Sequence, residues 1–159
     1  MKIKIVAIGK IKEKYLKEGI NEYLTRISPF ADISIVEVND QPIKDNPNDS
    51  DIKKAIDLEG KSALKHIANS EFVIALDLNK KEMDSVEFSN YLIKKLEVGG
   101  SSITFVIGGS YGLSDELKAR ANDSISLSKM TFLHQMTRLI LLEQIYRAFK
   151  IYNHQTYHK

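Results

Sequence analysis

Alternating strand and helix patterns predict an α/β fold with a mainly parallel sheet flanked by helices. Three observations carry that expectation. Short apolar runs at 2–9, 33–38, 71–76, 103–107 and 124–127 alternate with five helix-like stretches. The runs Glu71-Phe-Val-Ile-Ala-Leu76 and Ile103-Thr-Phe-Val-Ile107 are apolar on both faces, as strands inside a covered parallel sheet are. Breakers separate the segments: Gly9, Pro29 and Gly99-Gly100.

Each element has its own reason. Lys2 to Gly9 reads as a strand through Ile3, Ile5 and Val6 to Ile8, and Gly9 ends it. Glu13 to Ile27 carries Tyr15, Leu16, Ile20, Tyr23, Leu24 and Ile27 at helical spacing, and Pro29 closes that helix. Ile33 to Val38 alternates as a second strand. The segment 39–50, with Asp40, Pro42, Asn46, Pro47, Asn48 and Asp49, reads as a loop. Ser50 is the expected N-cap of the next helix, which runs to about His66. The third strand, 71–76, precedes a helix over Met83 to Val98. The strand 103–107, a helix over Ser114 to Ala121, the strand Ser124 to Leu127 and a helix over His134 to Tyr152 complete the set.

The chain has 159 residues, so one domain over 1–159 with a sizeable core is expected. It contains no cysteine, which excludes disulfides, a thiol nucleophile and a thiolate metal site. The scattered histidines lack ligand spacing, so no metal is expected. The opening Met1-Lys-Ile-Lys-Ile-Val-Ala-Ile8 is too charged for a secretory leader, and no run approaches the roughly 18 apolar residues of a membrane span. A cytoplasmic protein with no membrane contact is the expectation. Net charge is only +2, but it is polarised. From residue 129 onward Lys129, Arg138, Arg147, Lys150 and Lys159 face a single acid, Glu143. That basic end can steer toward a polyanion, or simply be a solvated surface.

Two strand-ending loops look chemically competent. Gly108-Gly-Ser-Tyr-Gly112 follows a buried strand and opens a helix, but matches no phosphate-loop pattern. The helix after it begins Ser114-Asp115-Glu116, and those carboxylates occupy the niche that a phosphate would need. A nucleoside ligand without phosphate fits better, and S-adenosylmethionine is such a ligand. The second loop, Leu127-Ser-Lys-Met-Thr-Phe132, offers backbone polar groups and apolar walls to an adenine. Ligands of open α/β sheets sit at the carboxyl ends of strands, where the loops after Leu76, Ile107 and Leu127 lie.

The last helix is apolar on two sides, which predicts one face on the sheet and another on a partner copy. His134 and Arg138 share a face just past the second loop, and Glu143 and Arg147 form a favourable i,i+4 pair.

With these residues in view, the chain resembles the RlmH family of SPOUT-class methyltransferases over its whole length. The resemblance rests on the Lys-Ile-Val-Ala-Ile-Gly strand ending at Gly9, Phe105-Val-Ile-Gly-Gly-Ser110 with Gly112-Leu113, and Leu127 to Phe132. It also rests on His134-Gln-Met-Thr-Arg138, Glu143-Gln-Ile-Tyr-Arg-Ala148 and the Tyr157-His158-Lys159 ending. It implies a deep trefoil knot within about 103–152, a homodimer, and S-adenosylmethionine bound in the knot. General topology rules disfavour knots, so that feature rests on the resemblance alone. The implied substrate is a pseudouridine of large-subunit ribosomal RNA within the ribosome, methylated at N3.

The implied cofactor positions are Leu76, Gly108, Leu127, Ser128, Lys129, Met130, Thr131 and Phe132. His134, Arg138 and His158 are the implied catalytic residues, and Arg138, Tyr157, His158 and Lys159 the implied substrate contacts. Either His134 or His158 would take the N3 proton, with Arg138 stabilising the developing charge. Leu133 stands where the family usually has proline, and Tyr111 where it often has asparagine or glutamate. A relative acting on transfer RNA and a non-catalytic RNA-binding module of the same fold are the alternatives.

Overall fold

The computed structural model describes all of residues 1–159 and consists of five strands and five helices in strict alternation. These are β1 (Lys2–Ile8), α1 (Lys14–Ile27), β2 (Asp32–Val38), α2 (Asp49–Leu64) and β3 (Val73–Lys81). There follow α3 (Ser85–Val98), β4 (Ser102–Ile107), α4 (Asp115–Arg120), β5 (Asp123–Ile125) and α5 (His134–Tyr152). All strands join one sheet in the order β2-β1-β4-β3-β5, and every pairing is parallel.

Alternation along the strands builds two cores. Ile3, Ile5 and Ala7 of β1, Ile74 and Leu76 of β3, and Ile103, Phe105 and Ile107 of β4 face one side, against α1, α3 and α5. Val6, Ile8, Val73, Ala75 and Val106 face the other side, against α2 and α4. The first core holds 23 buried residues and the second 10, so most apolar burial secures α5 and its neighbours.

Local chemistry explains the ends. Asn48 caps α2: its side chain accepts from the Asp51 amide, and the Asp51 carboxylate accepts from the Asn48 amide. The expected cap, Ser50, lies inside the helix instead. Asp84 and Glu87 form the same reciprocal box on α3. Gly60 marks a close approach of α2 to α4, since a Cβ there would lie 2.1 Å from Ser114 Oγ.

Two further expectations are corrected. β3 does not stop at Leu76 but continues to Lys81 through a bulge against β5, with Asn79 at φ 59°. Ser126 stabilises that bulge, donating to the Asp77 carbonyl and accepting from the Lys80 amide. β5 is shorter than expected and one residue earlier, which leaves Leu127 in the loop. α5 packs against α1 and α3, while Met136 and Tyr152 stay exposed and Ile140 and Ile151 are only partly covered.

Candidate functional site

A cavity of about 690 Å³ opens where the middle of β3 and the carboxyl end of β4 meet the start of α5. Three segments wall it. The first is β3 at Leu76, Asp77 and Leu78, where its bulge begins; the second is the glycine turn; the third runs from Leu127 to Leu133, with His134 and Thr137 closing one end. Seven of the eight expected cofactor positions line the cavity: Leu76, Gly108, Leu127, Ser128, Met130, Thr131 and Phe132. Lys129 does not line it and points to solvent.

The glycine turn is built by backbone contact. Gly112 donates to the Gly109 carbonyl at 3.1 Å and adopts φ 91°, a conformation that glycine takes without strain. A Cβ on Gly108 would sit 2.7 Å from the Gly112 carbonyl carbon and oxygen. Only glycine lets the turn close this tightly. Ser114 ends the turn and caps α4, and Asp115 and Glu116 fill that helix's first turn. Their charge opposes an anion at the N-terminus of that helix.

His134 sits at the β1 side of the cavity, beside Gly9: the point where a Gly9 Cβ would stand is 3.5 Å from His134 Nε2 and 3.7 Å from an Arg138 guanidinium nitrogen. Burial, helped by the Arg138 charge, pushes the His134 pKa below its ordinary value, with Asp40 opposing weakly. His134 is therefore neutral at neutral pH and able to accept a proton.

Arg138 is placed differently from the sequence expectation. It is only 1% exposed and does not line the cavity. Its guanidinium donates to Glu37 Oε2 at 2.7 Å and to the carbonyls of Gly9 at 2.6 Å and Ile8 at 3.2 Å. Glu37 Oε2 also accepts from the Ile11 amide at 2.9 Å. Arg138 thus braces the loop after β1, and its charge reaches the cavity through His134.

The tail lies elsewhere. Tyr157 packs edge-on against Tyr146, and its hydroxyl contacts Tyr23 and Glu143 at 3.2 and 3.1 Å. His158 Nδ1 lies 3.2 Å from Arg147. Arg147 is thirteen residues along α5 from His134, about 20 Å at helical rise. The structure brings His134 to the cavity and does not bring Tyr157, His158 or Lys159 to that same cavity.

Sequence reasoning missed Asp77 and Lys118, the charged side chains of the lining, whose carboxylate and ammonium lie 3.7 Å apart. Asp77 follows Leu76 directly, so the end of β3 was the available signal. It also missed Glu37, since nothing in sequence pairs β2 with α5. No three histidine, aspartate or glutamate side chains converge in metal-binding geometry. No helix is long and apolar enough to cross a membrane.

Comparison with known proteins agrees with this geometry. A family model described as "Predicted SPOUT methyltransferase" matches residues 1–158. A Carboxydothermus hydrogenoformans protein named "Ribosomal RNA large subunit methyltransferase H" is 51% identical, and one of the same name from Clostridium botulinum is 48% identical. Each alignment covers all of both chains. A probable methylase family protein from Haemophilus influenzae shares the fold at TM-score 0.56 with 13% identity, over 99% of this chain and 70% of that one. A putative methylase family protein from Neisseria gonorrhoeae does so at TM-score 0.52 with 14% identity, over 91% of this chain and 81% of that one. A full-length family match, relatives of equal length at about half identity, and a pocket walled by three segments agree: the chain belongs to the SPOUT methyltransferase family.

Proposed function

We infer that this protein transfers the methyl group of S-adenosylmethionine to N3 of a pseudouridine in large-subunit ribosomal RNA, on the assembled ribosome in the cytoplasm. The observation that carries the reading is the full-length identity of 48–51% to relatives named for large-subunit ribosomal RNA methylation, together with the cavity at the expected residues. S-adenosylmethionine, when bound, supplies an electrophilic methyl on a sulfonium. The donor set fits it: apolar walls from Leu127, Met130 and Phe132, a turn only glycine can close, and no cationic phosphate cradle.

The chain's own residues do the rest. N3 of pseudouridine must lose a proton as it attacks. His134 is neutral, stands at one end of the cavity and accepts that proton. Burial, helped by the Arg138 charge, favours neutral His134, and Arg138 holds the Gly9 carbonyl and the loop behind it. Tight loops fix the reacting groups, and alignment accounts for much of the rate. The protein works as a homodimer in this reading. A tail held about 20 Å from its own His134 is supported as a contributor to the partner's cavity rather than its own. The knotted crossing implied by family membership belongs to the same reading.

The test is methyl transfer from labelled S-adenosylmethionine to ribosomes, isolated large subunits and bulk transfer RNA, side by side. Label in ribosomes or large subunits is expected. Label confined to transfer RNA would overturn the substrate, and absence of both label and donor binding would overturn the enzyme reading.

A further inference from the structure

The cavity carries two opposite charges at one end and a neutral imidazole at the other. Asp77 and Lys118 both line it, with Oδ2 and Nζ 3.7 Å apart. No other lining residue is an aspartate, glutamate, lysine or arginine. His134 lines it from the β1 side, beside Gly9. Asp77 belongs to β3, and β4 stands between β3 and β1 in the sheet. The two ends are thus two strand spacings apart, about 10 Å.

The fold holds Asp77 ready. Leu76 and Lys81 both pair with Ile125, so residues 77–80 leave the ladder as the bulge, a feature that re-aims side chains. Ser126 pins that bulge at the Asp77 carbonyl and the Lys80 amide. Asp77 Oδ1 accepts from the Leu78 amide at 2.9 Å. Oδ2 is left with Lys118 alone, at a separation longer than a hydrogen bond. The Asp77 side chain is 18% exposed and that of Lys118 45%. Such a loose pair adds little to stability, and it leaves an acceptor oxygen and an ammonium both open to a ligand. A zwitterion satisfies the two at once, its ammonium donating to the carboxylate and its carboxylate accepting from the lysine. A ribose diol would use the carboxylate and leave the lysine unmatched, and an adenine needs neither charge.

We propose that Asp77 and Lys118 seat the amino-acid end of the methyl donor, Asp77 taking its ammonium and Lys118 its carboxylate. This rests on the methyl-transfer reading above and deepens it. Holding that end on β3 leaves the β1 end of the cavity, with His134, to the methyl acceptor. The seat also lets the protein prefer the donor over nucleosides that lack an amino acid.

The test is calorimetry on the full-length protein without RNA. It compares S-adenosylhomocysteine with methylthioadenosine, which keeps the nucleoside and the sulfur but has no amino acid. Asp77→Asn retains the acceptor for the Leu78 amide, and Lys118→Met retains the stem of a half-exposed side chain, so folding is not at stake. Each variant should bind S-adenosylhomocysteine about tenfold more weakly and methylthioadenosine as the wild type does. Equal losses for the two compounds would put the pair on the nucleoside and overturn the assignment. Undiminished affinity for S-adenosylhomocysteine in either variant would overturn it as well. The selective loss, found in a protein that labels no RNA, would keep the seat and sink only the substrate reading. Wild-type protein that binds neither compound would sink the donor reading and the seat with it.

Discussion

Two arginines nine residues apart on α5 lead opposite lives. Arg138 is buried, and its guanidinium serves a carboxylate and two backbone carbonyls, with Nε left unpaired. Arg147 is partly exposed and holds Glu143, the Tyr157 ring and His158. Both belong to i,i+4 pairs in sequence, with His134 and Glu143, and both were candidates for a surface role. Only packing separates them: the Arg138 side faces the end of β1, the Arg147 side faces the returning tail. Arg138 is wholly enclosed, whereas Arg147 and Glu143 keep 24% and 21% of their side chains exposed. The first arginine is therefore a brace and the second a handle.

That contrast can be broken most directly at Arg138. Arg138→Ala takes the guanidinium donor from Glu37 and from the Ile8 and Gly9 carbonyls. It should destabilise the protein by about 1–3 kcal/mol in denaturant titration and impair methyl transfer with it. Arg147→Ala should cost less stability than that while still impairing turnover on large subunits. Equal losses of stability in the two variants would erase the distinction.

Next in size is the glycine turn. Gly108→Ala forces a methyl to within 2.7 Å of the Gly112 backbone, which must open. Donor affinity should fall by about 2–3 kcal/mol in calorimetry, with a far smaller change in affinity for RNA. A normal donor affinity would remove the turn from the cofactor site.

The pH dependence sharpens the pairing of His134 with Arg138. The folded state holds the His134 pKa below its unfolded value, so the unfolded chain binds the proton first. The stabilising contribution is complete above the unfolded value of about 6.5 and is lost as pH falls through the depressed folded value. The acidic limb of kcat/KM should likewise lie below pH 6.5 and disappear in His134→Gln, whose residual rate is expected to be flat with pH. An acidic limb unchanged in that variant would move the base elsewhere.

The smallest effect is a control on the other face of the sheet. Asn48→Ala removes the cap of α2 and should cost about 1 kcal/mol of stability without changing methyl transfer.

Much was legible in the chain because its signals are local. The order of elements follows from hydrophobic period, from glycine and proline punctuation, and from the two-faced apolarity of β4. The cavity wall was legible because Gly108 to Gly112 and Leu127 to Phe132 are contiguous segments ending strands, where open α/β sheets bind ligands. The cap of α2 was misplaced by two residues because Asn48 and Ser50 are both competent caps, and only the reach of Asp51 back to Asn48 chooses between them. The bulge in β3 was invisible because Ser126, some fifty residues away, holds it.

The sequence by itself determined the alternating α/β class, the glycine turn and the apolar loop that wall the cavity, since each depends on neighbours in the chain. Tertiary structure alone decided which charged groups share a site. Parallel order β2-β1-β4 brings Glu37 beside Arg138 and withdraws that arginine from solvent. The reversal at His154 carries Tyr157 and His158 back to α1 and α5, away from their own cavity. Those outcomes are set by contacts 101 and 134 residues apart, and side-chain charge is decided by what surrounds it, which no local pattern encodes.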